Sequence, residues 1–285
     1  MLVIADKSLV AYHLDSICSS NGPAAAAPES SRRAPQKLSG NRDVGFFATG
    51  RMKDRTLVFY KKRDGISSTF KVLEPVYLKS TSFSTRGFSS RFMTGIKKGT
   101  TEFFRDFDDF YIPTDTYAIN LFHSSLAIAT TKGIEVLTLD KKVPFSIPDL
   151  KPPHCASIAS RIQNQKPLGM FRLNESEFLI VFEEVGVYVN KHGDVSRGVV
   201  MEFVGRAKQA VLYGGMYLLL VDIGGGFVEV RNAVNGRLRQ VISGRDVRLL
   251  DDGGEKGTVK ICMQHPEAER CQLIVEMVVN EGQKE

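Results

Sequence analysis

YLLLVDIGGGFVEVRNAVNG, Tyr217–Gly236, carries the phrase on which the fold turns. An apolar run is followed by a short turn, and then by a second run in which apolar and polar residues alternate. That is the pattern of a β-hairpin. The same phrase occurs as LVIADKSLVAYHLD at Leu2–Asp15, SLAIATTKGIEVLTLD at Ser125–Asp140 and FLIVFEEVGVYVNKHGD at Phe178–Asp194. GFFATGRMKDRTLVFYKKRDG at Gly45–Gly65 is a looser copy. A hairpin cannot bury its apolar face alone, so a series of them must stack. The chain is therefore expected to be all-β, and no long stretch shows a 3.6-residue period. Ala156–Gln165 and Val204–Leu212 are the two places where a helical turn is expected.

The turn positions Gly133, Gly186 and Gly225 are 53 and 39 residues apart, and Lys7 and Arg55 are 48 apart. Propeller blades repeat at about 40–50 residues, so this spacing points to a β-propeller. Between Arg55 and Gly133 the gap is 78 residues, room for a further, degenerate hairpin around Arg91–Phe104. The count comes to five to six blades' worth of chain, the first incomplete. Ser19–Gly40, rich in Ser, Ala and Pro, reads as a flexible insertion within a single domain spanning 1–285. Lys79–Arg91 reads as a second polar connection. The chain has no Trp, which argues against an ordinary WD40 repeat.

No apolar run reaches the roughly 18 residues that span a bilayer. The N-terminus lacks a basic region and a cleavage site, so it reads as a strand pair and not as a signal peptide. Cys18, Cys155, Cys262 and Cys271 form no C-x-x-C pair, and free thiols in a reducing cytosol are expected. A Cys262–Cys271 bridge across the last hairpin is the alternative. Residues 1–110 hold 18 Lys+Arg against 11 Asp+Glu, a net +7, and the remaining 175 residues carry −1. That basic excess suits an acidic protein surface or an anionic membrane face.

Its sharpest local form is the hairpin RMKDRTLVFYKKR. Arg51, Lys53 and Arg55 precede its second strand, and Lys61, Lys62 and Arg63 close it. If pairing brings both groups to one edge, they form a partner-binding patch; a solvated hairpin is the plainer reading. No RNP-like or helix-turn-helix context accompanies the charge, so nucleic acid is not an expected partner. EFFRDFDDFYIPTD, Glu102–Asp115, mixes acids with aromatics and reads as an outer strand and its turn. Its carboxylates lack the order of a calcium loop.

The competing chemical signal is VDIGGGFVEV. An Asp ending one strand, followed by three glycines, resembles the phosphate loop of actin-like ATPases and exopolyphosphatases, with Asp222 and Gly224–Gly226 as candidate phosphate-site residues. Such a fold needs a second loop of this kind, and ADKSLVAY has the Asp without the glycines. A plain hairpin turn is therefore the preferred reading. The five histidines have no metal-ligand spacing, and His154 beside Cys155 is not a zinc site by itself. No catalytic residue, cofactor or metal is expected.

LVIADKSLVAYHLDSI, DVGFFATGRMKDRTLVFYKKR, EFFRDFDDFYIPTDTYAINLFHSSLAIATTKGIEVLTLD and PFSIPDL together resemble the citron homology (CNH) domain. KPLGMFRLNESEFLIVFEEVGVYVNKHGD and YLLLVDIGGGFVEVRNAVNGRLRQVISGRDVRLL continue the resemblance in order. The version most similar is the C-terminal CNH domain of fungal Rho guanine-nucleotide exchange factors. The resemblance implies a propeller, seven-bladed in the family and truncated at its N-terminus here. It also implies a regulatory interaction module of Rho signalling and cell wall integrity, cytoplasmic and recruited to the cell cortex. Its partner would be a Rho-type GTPase or another protein of that pathway. The exchange domains are not apparent in this chain, and no kinase signature is present. CNH domains also occur in vesicle tethering subunits, which stands as the alternative.

Overall fold

The computed structural model describes residues 1–14, 34–41, 43–76, 103–254 and 257–279. They form six antiparallel sheets in chain order, and the chain divides into two compact units, Met1–Asp115 and Thr116–Glu285. All five hairpin phrases fold as hairpins. No helix among the described residues is long and apolar enough to cross a membrane. The expected hairpin around Arg91–Phe104 and the connection Lys79–Arg91 fall largely or wholly outside the described residues.

In the first unit, β1 (Leu2–Ala5), β2 (Ser8–Ala11) and β3 (Gln36–Lys37) make a three-stranded sheet. β3 lies inside the segment expected to be a loop. It pairs Val10 with Lys37, and Leu38 donates its N–H to the Leu9 carbonyl at 2.8 Å. The backbone of this short polar stretch finds a ladder partner although its side chains gave no strand pattern. Residues 19–33 of the expected insertion lie outside the described residues.

The second sheet runs β4 (Val44–Met52), β5 (Arg55–Asp64), β6 (Ser67–Pro75) and β7 (Phe104–Ile112). Alternation along β5 sends Val58 and Tyr60 into a cluster with Leu9, Val44 and Leu73. Phe59 goes to the opposite face. There the Phe70 and Phe110 rings stack at 4.9 Å, with Phe59 and Phe46 against them. Phe59 and Phe70 are fully buried, and each such side chain contributes about 1.5–3 kcal/mol by leaving water.

The second unit begins with β8 (Thr116–Leu121), β9 (Leu126–Thr130), β10 (Gly133–Leu137) and β11 (Phe145–Ile147). A 3₁₀ turn at Pro153–Cys155 leads into helix α1 (Ala156–Ile162), inside the first of the two expected helical stretches. Ile158 and Ile162, four residues apart, put one helix face into the core that includes Ala129, Ile134 and Ile180. Next come β12 (Pro167–Arg172), β13 (Glu177–Phe182), β14 (Val185–Asn190) and β15 (Met201–Glu202). They are followed by β16 (Ala207–Tyr213), β17 (Tyr217–Asp222), β18 (Phe227–Asn232) and β19 (Leu238–Ser243). β20 (Arg248–Asp251), β21 (Lys260–Gln264) and β22 (Gln272–Glu276) form the last, three-stranded sheet.

The second expected helical stretch, Val204–Leu212, is not helical. It contributes most of β16, which pairs with β17 from Ala207 to Tyr213. Ala207, Ala210 and Leu212 join the core shared with β13 and β14, while Val211 and Tyr213 join the one shared with β21. A bulge between Ala207 and Gln209 shifts the alternation and blurs its period. Central strands such as β9 and β14 are buried on both faces, so they read as continuous apolar runs.

Candidate functional site

The basic hairpin is built by a two-residue turn between β4 and β5. Met52 pairs with Arg55, leaving Lys53 and Asp54 at φ 45° and 64°. Two consecutive left-handed residues match the twist of a tight hairpin, although neither is glycine. The turn carries exposed Arg51, Lys53 and Arg55 together at its tip. Lys61, Lys62 and Arg63 lie at the other end of β5, about 20 Å away at 3.3 Å per residue. The structure thus separates the two basic groups that one edge was expected to join.

Acids from β6 and the strand pair's neighbours meet many of these cations. Arg55 reaches Glu74 Oε1 at 3.0 Å, and Arg105 Nε reaches Glu74 Oε2 at 2.9 Å. Glu74 and Arg105 are direct cross-strand partners, as are Lys71 and Asp109, whose charged atoms are 2.8 Å apart. That hydrogen bond to Asp109 holds the Lys71 ammonium above its ordinary range. Lys61 is buried and ion-paired with Asp115, while Arg51 sits 3.8 Å from Asp54. The Arg55 guanidinium also lies 5.4 Å from the centre of the Phe107 ring. The acid–aromatic stretch is indeed the outer strand of this sheet, and it supplies counter-charge to the strands beside it.

The glycine turn after Asp222 is closed on itself. Gly225 donates its N–H to the Asp222 carbonyl at 2.9 Å, and Gly226 donates to the Asp222 carboxylate at 3.2 Å. Gly225 has φ +68°, and a Cβ there would stand 3.0 Å from the Val247 backbone nitrogen. The glycine allows residues 244–247 to pass close by, and Val247 donates to its carbonyl at 3.0 Å. Two of the three glycine amides a phosphate would use are thus committed to the turn's own aspartate. Among the described residues, no group of three or more His, Cys, Asp or Glu side chains is placed to hold a metal.

The Cys262–Cys271 bridge does not form, and both thiols are free. Cys262 is paired with Ile274, while the Cys271 carbonyl accepts from His265, so the two residues are offset along the hairpin. The buried Cys262 thiol instead meets Gln272 Oε1 at 3.1 Å.

The six-sheet order and the hairpin series match one family. The CNH domain family model matches residues 1–253. The chain belongs to the CNH domain family. This CNH domain is 30% identical over 259 residues to Rho1 guanine nucleotide exchange factor 1 of Schizosaccharomyces pombe, covering 90% of the chain and 18% of that protein. Rho1 guanine nucleotide exchange factor 3 of the same yeast is 30% identical over 227 residues, covering 74% of the chain and 16% of that protein. The chain therefore spans less than a fifth of the length of these curated relatives. Among solved structures, the AfRom2 CNH domain superposes with a TM-score of 0.73 at 22% identity, covering 98% of this chain and 76% of that one. The fold is a β-propeller whose described residues form six blades, within the expected five to six.

Proposed function

We propose that this CNH domain is a non-catalytic, single interaction module of Rho signalling, part of a Rho guanine-nucleotide exchange factor. The observation that carries the reading is the 30% identity to a Rho1 exchange factor across 90% of the chain. Its partner is a Rho-type GTPase or another protein of that pathway. The tip of the basic hairpin, Arg51 with Lys53 and Arg55, is the part of the expected patch that one turn presents together, and it meets an acidic face of the partner. The self-closed Asp222 turn favours this reading over phosphate chemistry.

Purified chain, checked for β structure by circular dichroism, is tested for retention of a Rho-type GTPase loaded with GDP or with a GTP analogue. Retention in one or both states is expected, weakened by salt and by Arg51→Glu. A folded chain that retains the GTPase in neither state refutes the GTPase as partner.

A further inference from the structure

In the second unit, a cavity of about 340 Å³ lies between the outer edge of β15 and the turn that joins β18 to β19. Its walls include Tyr188, Val200 and Met201 from one side and Arg231, Asn235 and Gly236 from the other. Val199, which is 74% exposed, stands at the opening. The volume suits one large side chain of a peptide and is too small for a folded domain's surface.

Three ion pairs surround the cavity, and each is already closed. Arg197 forks onto Glu177, with Nε to Oε1 at 2.9 Å and Nη2 to Oε2 at 2.5 Å, and lies 3.7 Å over the Tyr188 ring. Arg161 engages Glu202 at 2.5 Å. Arg231 pairs with the buried carboxylate of Glu229 through Nε and gives Nη1 to the Gly236 carbonyl at 2.8 Å. Arg231 Nη2 makes no hydrogen bond to a described residue. Each of these three carboxylates thus has its own arginine, while one guanidinium edge is left to donate. Arg237 and Arg239, which follow Gly236, are exposed and make no ion pair with a described residue. The local balance favours an anion.

The backbone adds a second element. β15 is the last strand of its sheet, so among the described residues no further strand pairs with its outer edge. Phe203 donates to the Glu184 carbonyl at 3.0 Å and so faces β14. Alternation turns the N–H and C=O groups of Glu202 and Val200 the other way. Val204, which also faces outward, gives its N–H to Glu229 Oε2 at 2.9 Å, so this edge looks toward the side chains of β18. An extended chain lying there finds backbone groups to pair with.

We propose that this cavity is a docking pocket for an acidic peptide segment. The segment lies extended beside Val200–Glu202 and sets a carboxylate against Arg231, with Arg237 and Arg239 attracting its remaining charge. This pocket stands independently of which Rho-pathway protein the domain binds.

The test is fluorescence polarisation at low salt with a labelled peptide alternating Glu and Val, against a control alternating Lys and Val. The acidic peptide is expected to bind and the basic one not. Val199→Glu places a carboxylate at the opening of the pocket, on a residue too exposed to affect folding, and should weaken binding about tenfold or more; so should the double reversal Arg237→Glu, Arg239→Glu. Ile66→Glu, an exposed position on another sheet, should leave it unchanged. No binding, equal binding of both peptides, indifference to both pocket variants, or inorganic phosphate displacing the peptide at equal affinity would each overturn the proposal. A dimer in sedimentation that the peptide disrupts would assign the pocket to a second copy and overturn it as well.

Discussion

Removing Arg197 should cost the second unit more stability than almost any other surface-reaching side chain. Its guanidinium closes two bonds onto Glu177, reaches the Val234 carbonyl at 2.5 Å, and covers the Tyr188 ring. The Glu177 and Arg197 side chains are 17% and 31% exposed, so solvent screens the pair only in part. Charge-assisted hydrogen bonds of this kind contribute about 1.5–3 kcal/mol. The cation–π contact adds about 0.5–1 kcal/mol. Arg197→Ala should therefore destabilise by about 2–4 kcal/mol and lower the melting temperature by about 4–16 °C. With no tryptophan in the chain, far-UV circular dichroism is the natural readout. The loss should also depend on pH. Hydrogen bonding to Arg197, opposed by burial, holds the Glu177 carboxyl below its ordinary value of 4.5. A depressed folded value means the stabilisation is fully present above about 4.5 and fades as pH falls through the folded value. The gap between wild type and Arg197→Ala should narrow in acid. A melting temperature unchanged at neutral pH, or a gap that stays constant into acid, would refute this account of the clamp.

Two further outcomes follow from the same geometry. Burial, with the Asp106 carboxylate adding to it, pushes the Tyr60 phenol up to about 12. The neutral phenol is therefore favoured in the fold, a contribution present below about 10 and lost as pH rises toward 12. An alkaline absorbance titration should show a late tyrosine that Tyr60→Phe removes, and a single step near 10 in the folded protein would count against it. Gly225→Ala must hold φ +68° and push against the Val247 backbone, at a cost of about 1–3 kcal/mol. Gly65→Ala, at φ +72° with open space around it, bears only the backbone term and should cost less. Equal losses would show that close packing at Gly225 is not what its glycine serves.

The hairpins were readable because their turn residues and alternating strands are local signals. β13 and β14 announce themselves in FLIVFEEVGVYVN alone. β16 was not, since a bulge after Ala207 breaks its alternation and its apolar residues feed two different cores. β3 was hidden because it is two polar residues long, too short to show an alternation. The binding features were less legible still. The sequence shows Arg51, Lys53 and Arg55 close together, but Glu74 and Arg105, which surround Arg55, come from strands 19 and more residues away. Arg197 and Glu177 are 20 apart, and no motif links them. A register decides these pairs, and register is written in no single window.

Charge illustrates the same separation of composition from geometry. The first 110 residues carry +7, yet their described part holds 10 Lys+Arg against 8 Asp+Glu, a net +2. The other 8 Lys+Arg and 3 Asp+Glu belong to residues 15–33, 42 and 77–102. The strands of the basic hairpin are therefore close to neutral together with β6 and β7. Cross-strand pairs such as Lys71–Asp109 consume charge that composition counts as available. What remains for a partner is charge held where no opposite strand answers it, at turns and at the ends of sheets. Arg237 and Arg239, exposed after the β18–β19 turn and in no ion pair with a described residue, are such charges. Paired strands thus leave their sheets close to electrostatic self-sufficiency, and net charge survives mainly where a strand has no acidic neighbour.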